Sequence, residues 1–91
     1  MFGFVPVRLL VSYSVYLLQC ADGSYYCGYA KDLAVRVIEH NTSNKGAKYT
    51  RGRRPVKLVW NERCGGISEA LKREHQIKRL TRQQKEALVS E

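Results

Sequence analysis

Ninety-one residues suffice for one compact domain with a modest core and a single site, and exclude two such domains. Sixteen lysines and arginines against eight acids leave a formal net charge of +8, which favours a polyanionic partner, nucleic acid or an anionic membrane surface, over a plain basic protein with none. Cys20, Cys27 and Cys64 form neither a C-x-x-C pair nor an even set, which argues against a disulfide framework or a structural zinc site and for a reducing cytoplasm.

From Met1 to Val11 an apolar stretch is interrupted by Pro6 and Arg8 and is too short to span a bilayer. Residues 1–12 are therefore expected to be an N-terminal extension of one domain over 13–91, with no membrane partner. Val11, Tyr13, Val15 and Leu17 alternate with Ser12, Ser14, Tyr16 and Leu18, a β-branched and aromatic run that predicts a strand buried on both faces. Ala21-Asp22-Gly23-Ser24 supplies turn chemistry, and Tyr25 to Tyr29 returns as the second strand of a hairpin. Asp32 predicts the N-cap of a helix from Leu33 to about His40, with Leu33 and Val37, and more weakly Ala34 and Ile38, toward the core. Asn41 to Arg54 is polar and strongly basic and reads as a loop closed by Pro55. Val56, Leu58 and Trp60 alternate with Lys57 and Val59 as a third strand. After Gly65-Gly66, Ser68 is expected to cap a second helix running to about Leu80, and Thr81 with Gln84 forms a capping-box pattern for a short third helix. The order β-β-α-β-α-α predicts an α+β fold, an antiparallel hairpin sheet with helices packed beside it.

Tyr16, Tyr26, Arg36, His40 and Glu74 supply the residue types that phosphodiester cleavage needs: a proton acceptor, a cation for transition-state charge and a carboxylate for a metal. The tyrosines share a face only if the hairpin loop has odd length or carries a bulge. A three-residue loop, Asp22-Gly23-Ser24, pairs Ala21 with Tyr25, sets Gly28 nearly opposite Leu18, and leaves room there for a phosphate to approach the backbone. Each tyrosine also fits as an ordinary strand aromatic.

Glu74 falls within the apolar stripe Ala70, Leu71, Ile77 and Leu80, so its carboxylate faces the sheet side and requires a cation, an arginine or a metal as partner. A structural ion pair with Arg36 is the competing reading. Arg36 and His40 lie on one side of the first helix; alone, the first reads equally as a solvated arginine and the second as a helix-end histidine. His75, Glu69 and Glu86 read as surface residues, and Cys27 as a buried small hydrophobe. In the basic segment Lys45, Lys48, Arg51, Arg53 and Arg54 interleave with Gly46, Gly52 and Tyr49. Glycines admit phosphates to the backbone and Tyr49 offers a ring for an exposed base, against the alternative of a mobile solvated loop.

The ordered set Ser14-Val15-Tyr16, Tyr26-Cys27-Gly28, Asp32-Leu33 through Arg36, Glu39-His40-Asn41, Gly46-Ala47-Lys48-Tyr49-Thr50 and Glu69-Ala70-Leu71 through Glu74 resembles the GIY-YIG endonuclease superfamily, in its short single-domain bacterial branch. Ser14-Val15 stands where the motif name has Gly-Ile, and Cys27 where it has Ile. The resemblance implies a three-stranded antiparallel sheet flanked by helices and metal-dependent hydrolysis of DNA, with a place in repair or recombination. By the same resemblance Glu74 holds Mg²⁺ or Mn²⁺, Tyr16 acts as general base, Tyr26 and His40 position or assist it, and Arg36 neutralises phosphate charge. Gly28, Lys45, Lys48, Tyr49, Arg51, Arg53 and Arg54 are the expected nucleic-acid contacts. The larger relatives' target-recognition domain has no counterpart here, so weak binding with little sequence preference, or a protein partner or homodimer supplying specificity, is expected. The alternatives are a non-catalytic nucleic-acid binding module on the same scaffold and a protein-interaction adaptor.

Overall fold

The computed structural model describes residues 12–91; all of the proposed extension except Ser12 lies outside the described residues. The elements follow as β1 (Tyr13–Gln19), β2 (Tyr25–Ala30), α1 (Leu33–Thr42), α2 (Lys48–Arg51), β3 (Lys57–Cys64), α3 (Ile67–Lys78) and α4 (Arg82–Val89). The strands form one antiparallel sheet in the order β2-β1-β3 with helices beside it, the α+β arrangement expected.

As the central strand, β1 is buried on both faces, which is why its sequence is apolar and aromatic without interruption from Val15 to Leu18. On one face Val15 and Leu17 pack with Cys27, Cys64, Ala70 and Ile77, beneath α3, with Leu88 and Val89 of α4 at the margin. On the other, Tyr16, Leu18, Cys20, Ala30 and Val56 pack with Leu33 and Val37 of α1. Each fully buried Val or Leu side chain contributes roughly 1.5–3 kcal/mol to holding this sandwich closed.

Asp32 caps α1 as expected, its Oδ1 accepting the Val35 N–H, but the helix runs on to Thr42, and Ala34 and Ile38 are exposed rather than core-facing. The expected loop contains α2, a single turn in which the Ala47 carbonyl accepts the N–H groups of Thr50 and Arg51. The simple alternation expected for the third strand fails at a bulge, where Leu17 and Leu18 of β1 face Trp60 and Leu58, so Val59 is the extra residue. Val59 and Trp60 both join the core cluster under α3, while Leu58 is exposed. The strand also continues through Asn61-Glu62-Arg63 to Cys64, because an edge strand keeps its ladder on one side and leaves polar side chains in water. Gly66, without a side-chain cap, starts α3 in place of Ser68; Glu69 Oε1 instead accepts the Gly65 N–H at 3.0 Å. Leu71, expected on the buried stripe, is 44 % exposed. The Thr81–Gln84 capping box of α4 is present.

Tyr25 pairs with Gln19, not with Ala21, so the loop is Cys20 to Ser24, longer than expected but still odd. Asp22 Oδ1 accepts from the Ser24 N–H at 3.0 Å and its hydroxyl at 2.6 Å, and this local turn sets the register. Tyr16 and Tyr26 consequently share a face. Gly28 lies opposite Tyr16 rather than Leu18.

Candidate active site

Tyr16, Tyr26 and His40 come from β1, β2 and α1 and meet on the α1 face of the sheet. Tyr16 Oη and His40 Nε2 are 2.8 Å apart, and both residues are buried. The Tyr26 ring lies 5.2 Å from the imidazole and 6.4 Å from the Tyr16 ring, centroid to centroid. Space for this comes from Gly28, where a Cβ would fall 2.5 Å from Tyr16 Oη and 2.8 Å from its Cζ. The expectation that Gly28 admits a phosphate is therefore corrected: its open side is filled by the Tyr16 ring.

His40 is held on its far side by Thr50 Oγ1, 2.9 Å from Nδ1, and by the Ala47 N–H, which reaches Nδ1 at 3.3 Å. Gly46 makes that approach possible, because a Cβ there would lie 2.8 Å from His40 Cα and 2.9 Å from the Glu39 carbonyl oxygen. Among the described residues no buried side-chain nitrogen or oxygen lacks a hydrogen-bond partner. Thr50 is the site residue that was not singled out by itself; the signal was a hydroxyl inside the quoted Gly46–Thr50 stretch.

Arg36 uses one nitrogen, Nη1, to reach Glu39 Oε1 at 3.1 Å and the Lys45 carbonyl at 2.6 Å, which ties the start of the basic segment to α1. Its charge acts on both central groups. Burial pushes the Tyr16 phenol up to about 12, with Arg36 opposing the shift, and burial followed by Arg36 drives His40 down to about 4. Burial raises Tyr26 as well, opposed by Lys78 and Arg36. Near neutral pH His40 is therefore uncharged and both phenols keep their protons.

Glu74 projects from α3, the helix on the opposite face, but next to the edge strand β2, and its charge is felt by Tyr26. Its side chain is 15 % exposed and pairs with Lys78 Nζ at 3.6 Å, so the Arg36 pairing weighed from sequence does not form. Cys27, whose Sγ lies 3.9 Å from the Glu74 carbonyl, is pushed up to about 11 by burial, which makes it an inert core thiol as expected. Among the described residues no group of three His, Cys, Asp or Glu side chains could hold a metal ion. One largely buried carboxylate paired with an exposed lysine nevertheless fits Mg²⁺, which is commonly held by one or two carboxylates with water and phosphate completing the shell.

The expected nucleic-acid residues divide. Lys45, Lys48 and Arg51 are exposed. Arg54 is committed to the end of α1, donating from Nε to the His40 carbonyl at 2.7 Å and from Nη2 to the Ser43 carbonyl at 2.6 Å, because those last carbonyls have no helical donor. Arg53 donates to Asp22 Oδ2 at 3.1 Å and to the Tyr49 carbonyl at 2.8 Å. Its guanidinium also lies 3.9 Å from the centre of the Tyr49 ring, which in turn stacks on Tyr26 at 6.0 Å. Tyr49 thus belongs to the aromatic cluster while 38 % of its surface stays exposed.

A small α+β domain that carries motif tyrosines, an α1 histidine and arginine and a glutamate from α3 has the form of a compact nuclease-type catalytic module. Residues 12–87 match the family described as GIY-YIG catalytic domain, and the chain belongs to that family. It is 58 % identical over 77 residues to the UPF0213 protein SERP0126 of Staphylococcus epidermidis, covering 85 % of this chain and 93 % of that one. It is 55 % identical over 75 residues to the UPF0213 protein DP2720 of Desulfotalea psychrophila, covering 82 % and 68 % of the respective chains. The solution NMR structure of the UPF0213 protein BH0048 from Bacillus halodurans superposes with a TM-score of 0.56 at 47 % identity, covering 87 % of this chain and 83 % of that one. That of EF2693 from E. faecalis gives 0.59 at 46 %, with the same coverage. No helix of the described residues is long and apolar enough to cross a membrane.

Proposed function

We propose that this chain is a metal-dependent endonuclease that hydrolyses DNA phosphodiester bonds. The observation that carries the reading is the buried Tyr16–His40 hydrogen bond, with Arg36 close enough to act on both groups. Tyr16 Oη, once its own proton has left to solvent water, takes the proton of the attacking water, a role that needs the phenol lowered from its resting value by a neighbouring positive charge. Arg36 is the cation at hand and also offsets charge building on the phosphate. Tyr26 borders the same space, between Arg36 on one side and Glu74 with Lys78 on the other, and orients the scissile group. Glu74 would hold Mg²⁺ or Mn²⁺, whose chemistry is to stabilise the leaving oxygen. The free thiols Cys20, Cys27 and Cys64 are all buried, in keeping with a cytoplasmic protein, and a role in DNA repair or recombination follows if the substrates are branched or nicked.

The test is a panel of branched, nicked and single-stranded DNA with Mg²⁺ or Mn²⁺. Cleavage is expected to fall at least a hundredfold in Glu74→Ala and in Tyr16→Phe, with circular dichroism unchanged. Activity equal to wild type in both variants would sink the assignment.

The Glu74–Lys78 pair and the Arg36–Glu39 pair favour one second reading, a nucleic-acid binding module without catalysis, in which both charges are already satisfied. It predicts binding that persists in chelator, no cleavage with either metal, and sensitivity to Lys48 and Arg51 rather than to Glu74.

A further inference from the structure

We propose that Thr50 is a positioning residue that, together with the Ala47 N–H, fixes His40 in the tautomer whose proton is on Nε2, so that His40 donates to Tyr16 Oη and the Tyr16 proton points away from it. This rests on Tyr16 being the proton acceptor of the proposed reaction and deepens that reading.

The assignment comes from counting donors and acceptors around one buried ring. Nδ1 faces two neighbours, the Ala47 N–H at 3.3 Å and Thr50 Oγ1 at 2.9 Å. The Ala47 hydrogen is fixed by the backbone and points at Nδ1, and at 3.3 Å this long bond favours a lone pair there without enforcing it by itself. The Thr50 hydroxyl has two acceptors within reach, Nδ1 and the Ala47 carbonyl at 2.9 Å. That carbonyl already accepts the N–H groups of Thr50 and Arg51, at 3.1 and 3.2 Å, whereas Nδ1 has only the long Ala47 bond. The hydroxyl therefore serves the ring. With the single in-plane lone pair of Nδ1 shared by these two donors, the proton of the neutral imidazole sits on Nε2, 2.8 Å from Tyr16 Oη. The opposite tautomer would set the Nδ1 proton against the Ala47 hydrogen, whose direction the backbone fixes.

Two consequences follow for the chemistry. His40 does not take the phenol proton; it donates to the oxygen, which favours the phenolate that a base needs to become. The Tyr16 hydrogen, displaced from the His40 direction, is then the proton that must leave before the oxygen can act as a base. Thr50 touches no reacting atom and acts only through the ring.

The decisive measurement is the nitrogen chemical-shift pattern of His40 in the folded protein at neutral pH, free of DNA and metal. An unprotonated-type Nδ1 and a protonated-type Nε2 are expected; the reverse pattern overturns the assignment whether or not the protein cuts DNA. Thr50→Val removes the hydroxyl at nearly constant volume, and is expected to give a mixed tautomer signature and about tenfold slower cleavage, while Thr50→Ser restores both. A folded Thr50→Val protein that keeps the pure Nε2–H pattern overturns the part assigned to Thr50. If Thr50→Val does not fold, Thr50→Ala is read in the same way. The expected tautomer in a protein that cleaves nothing counts against the nuclease reading and leaves the hydrogen-bond assignment standing.

Discussion

His40 has no solvent contact, and its ring lies within the field of Arg36 and Arg54, so charging it is opposed first by burial and then by like charge; Glu39 offsets this only in part. In the unfolded chain the imidazole takes up its proton near pH 6.5, in the folded protein only near 4. Between those values the unfolded state binds more protons, so the stability this group contributes is intact above 6.5 and is lost as pH falls through the folded value. The loss is on the order of 2 kcal/mol. Urea unfolding at about pH 7.5 and about pH 4.5 would measure it, against His40→Gln as the control. The wild type should lose more stability than the variant over that interval, whatever the variant costs at neutral pH. Equal losses would show that some other group drives the acid sensitivity. The same burial makes His40 a poor proton acceptor, which is why its contribution at the site is a hydrogen bond and not a titration.

Arg51 and Arg54 stand three residues apart in the same basic run and do different jobs at the level of elements. Arg54 closes the carbonyl end of α1, while Arg51 projects from α2 into solvent. Arg54→Ala is expected to cost about 1–3 kcal/mol of stability, because two carbonyls lose a charged donor. Arg51→Ala should stay within about 0.5 kcal/mol of wild type and weaken DNA binding instead. Paired urea and anisotropy titrations would separate them, and similar stability losses in both would refute the division. Sequence could not make it, since composition counts both as cations and the partners of Arg54 are carbonyls of residues His40 and Ser43, well upstream. It could reach β1, whose apolar run has only one explanation when both faces are covered, and the condition that Tyr16 and Tyr26 share a face only across an odd-length or bulged loop. The register and the β3 bulge were out of reach: the first is set by the Asp22 side chain in the loop, the second by which of two adjacent apolar residues the core under α3 takes up. Glu74 was legible as a largely buried carboxylate, but its partner was not, because Lys78 is a flexible side chain that any i,i+4 site can reach.

For the whole molecule, the formal charge of +8 overstates what a phosphate backbone would meet. Of the five cations between Lys45 and Arg54, Arg54 is spent on backbone carbonyls and Arg53 on Asp22, which leaves Lys45, Lys48 and Arg51 exposed beside the Tyr49–Tyr26 stack. Counterion release scales with the number of phosphates neutralised, so the logarithm of the binding constant should fall with the logarithm of salt with a slope of roughly −2 to −3, where five free cations would give roughly −3.5 to −4.5. Anisotropy titrations of a labelled duplex over a range of KCl concentrations, in chelator so that cleavage does not intrude, would give the slope. Lys48→Ala with Arg51→Ala should make it shallower by nearly two. A wild-type slope of −4 or steeper would mean that phosphates also meet cations beyond these three, either Arg53 and Arg54 released from their internal partners or exposed residues outside the segment such as Lys31 and Lys57. A slope near zero would remove nucleic acid as the partner altogether, because phosphate contacts supply the sequence-independent part of such binding.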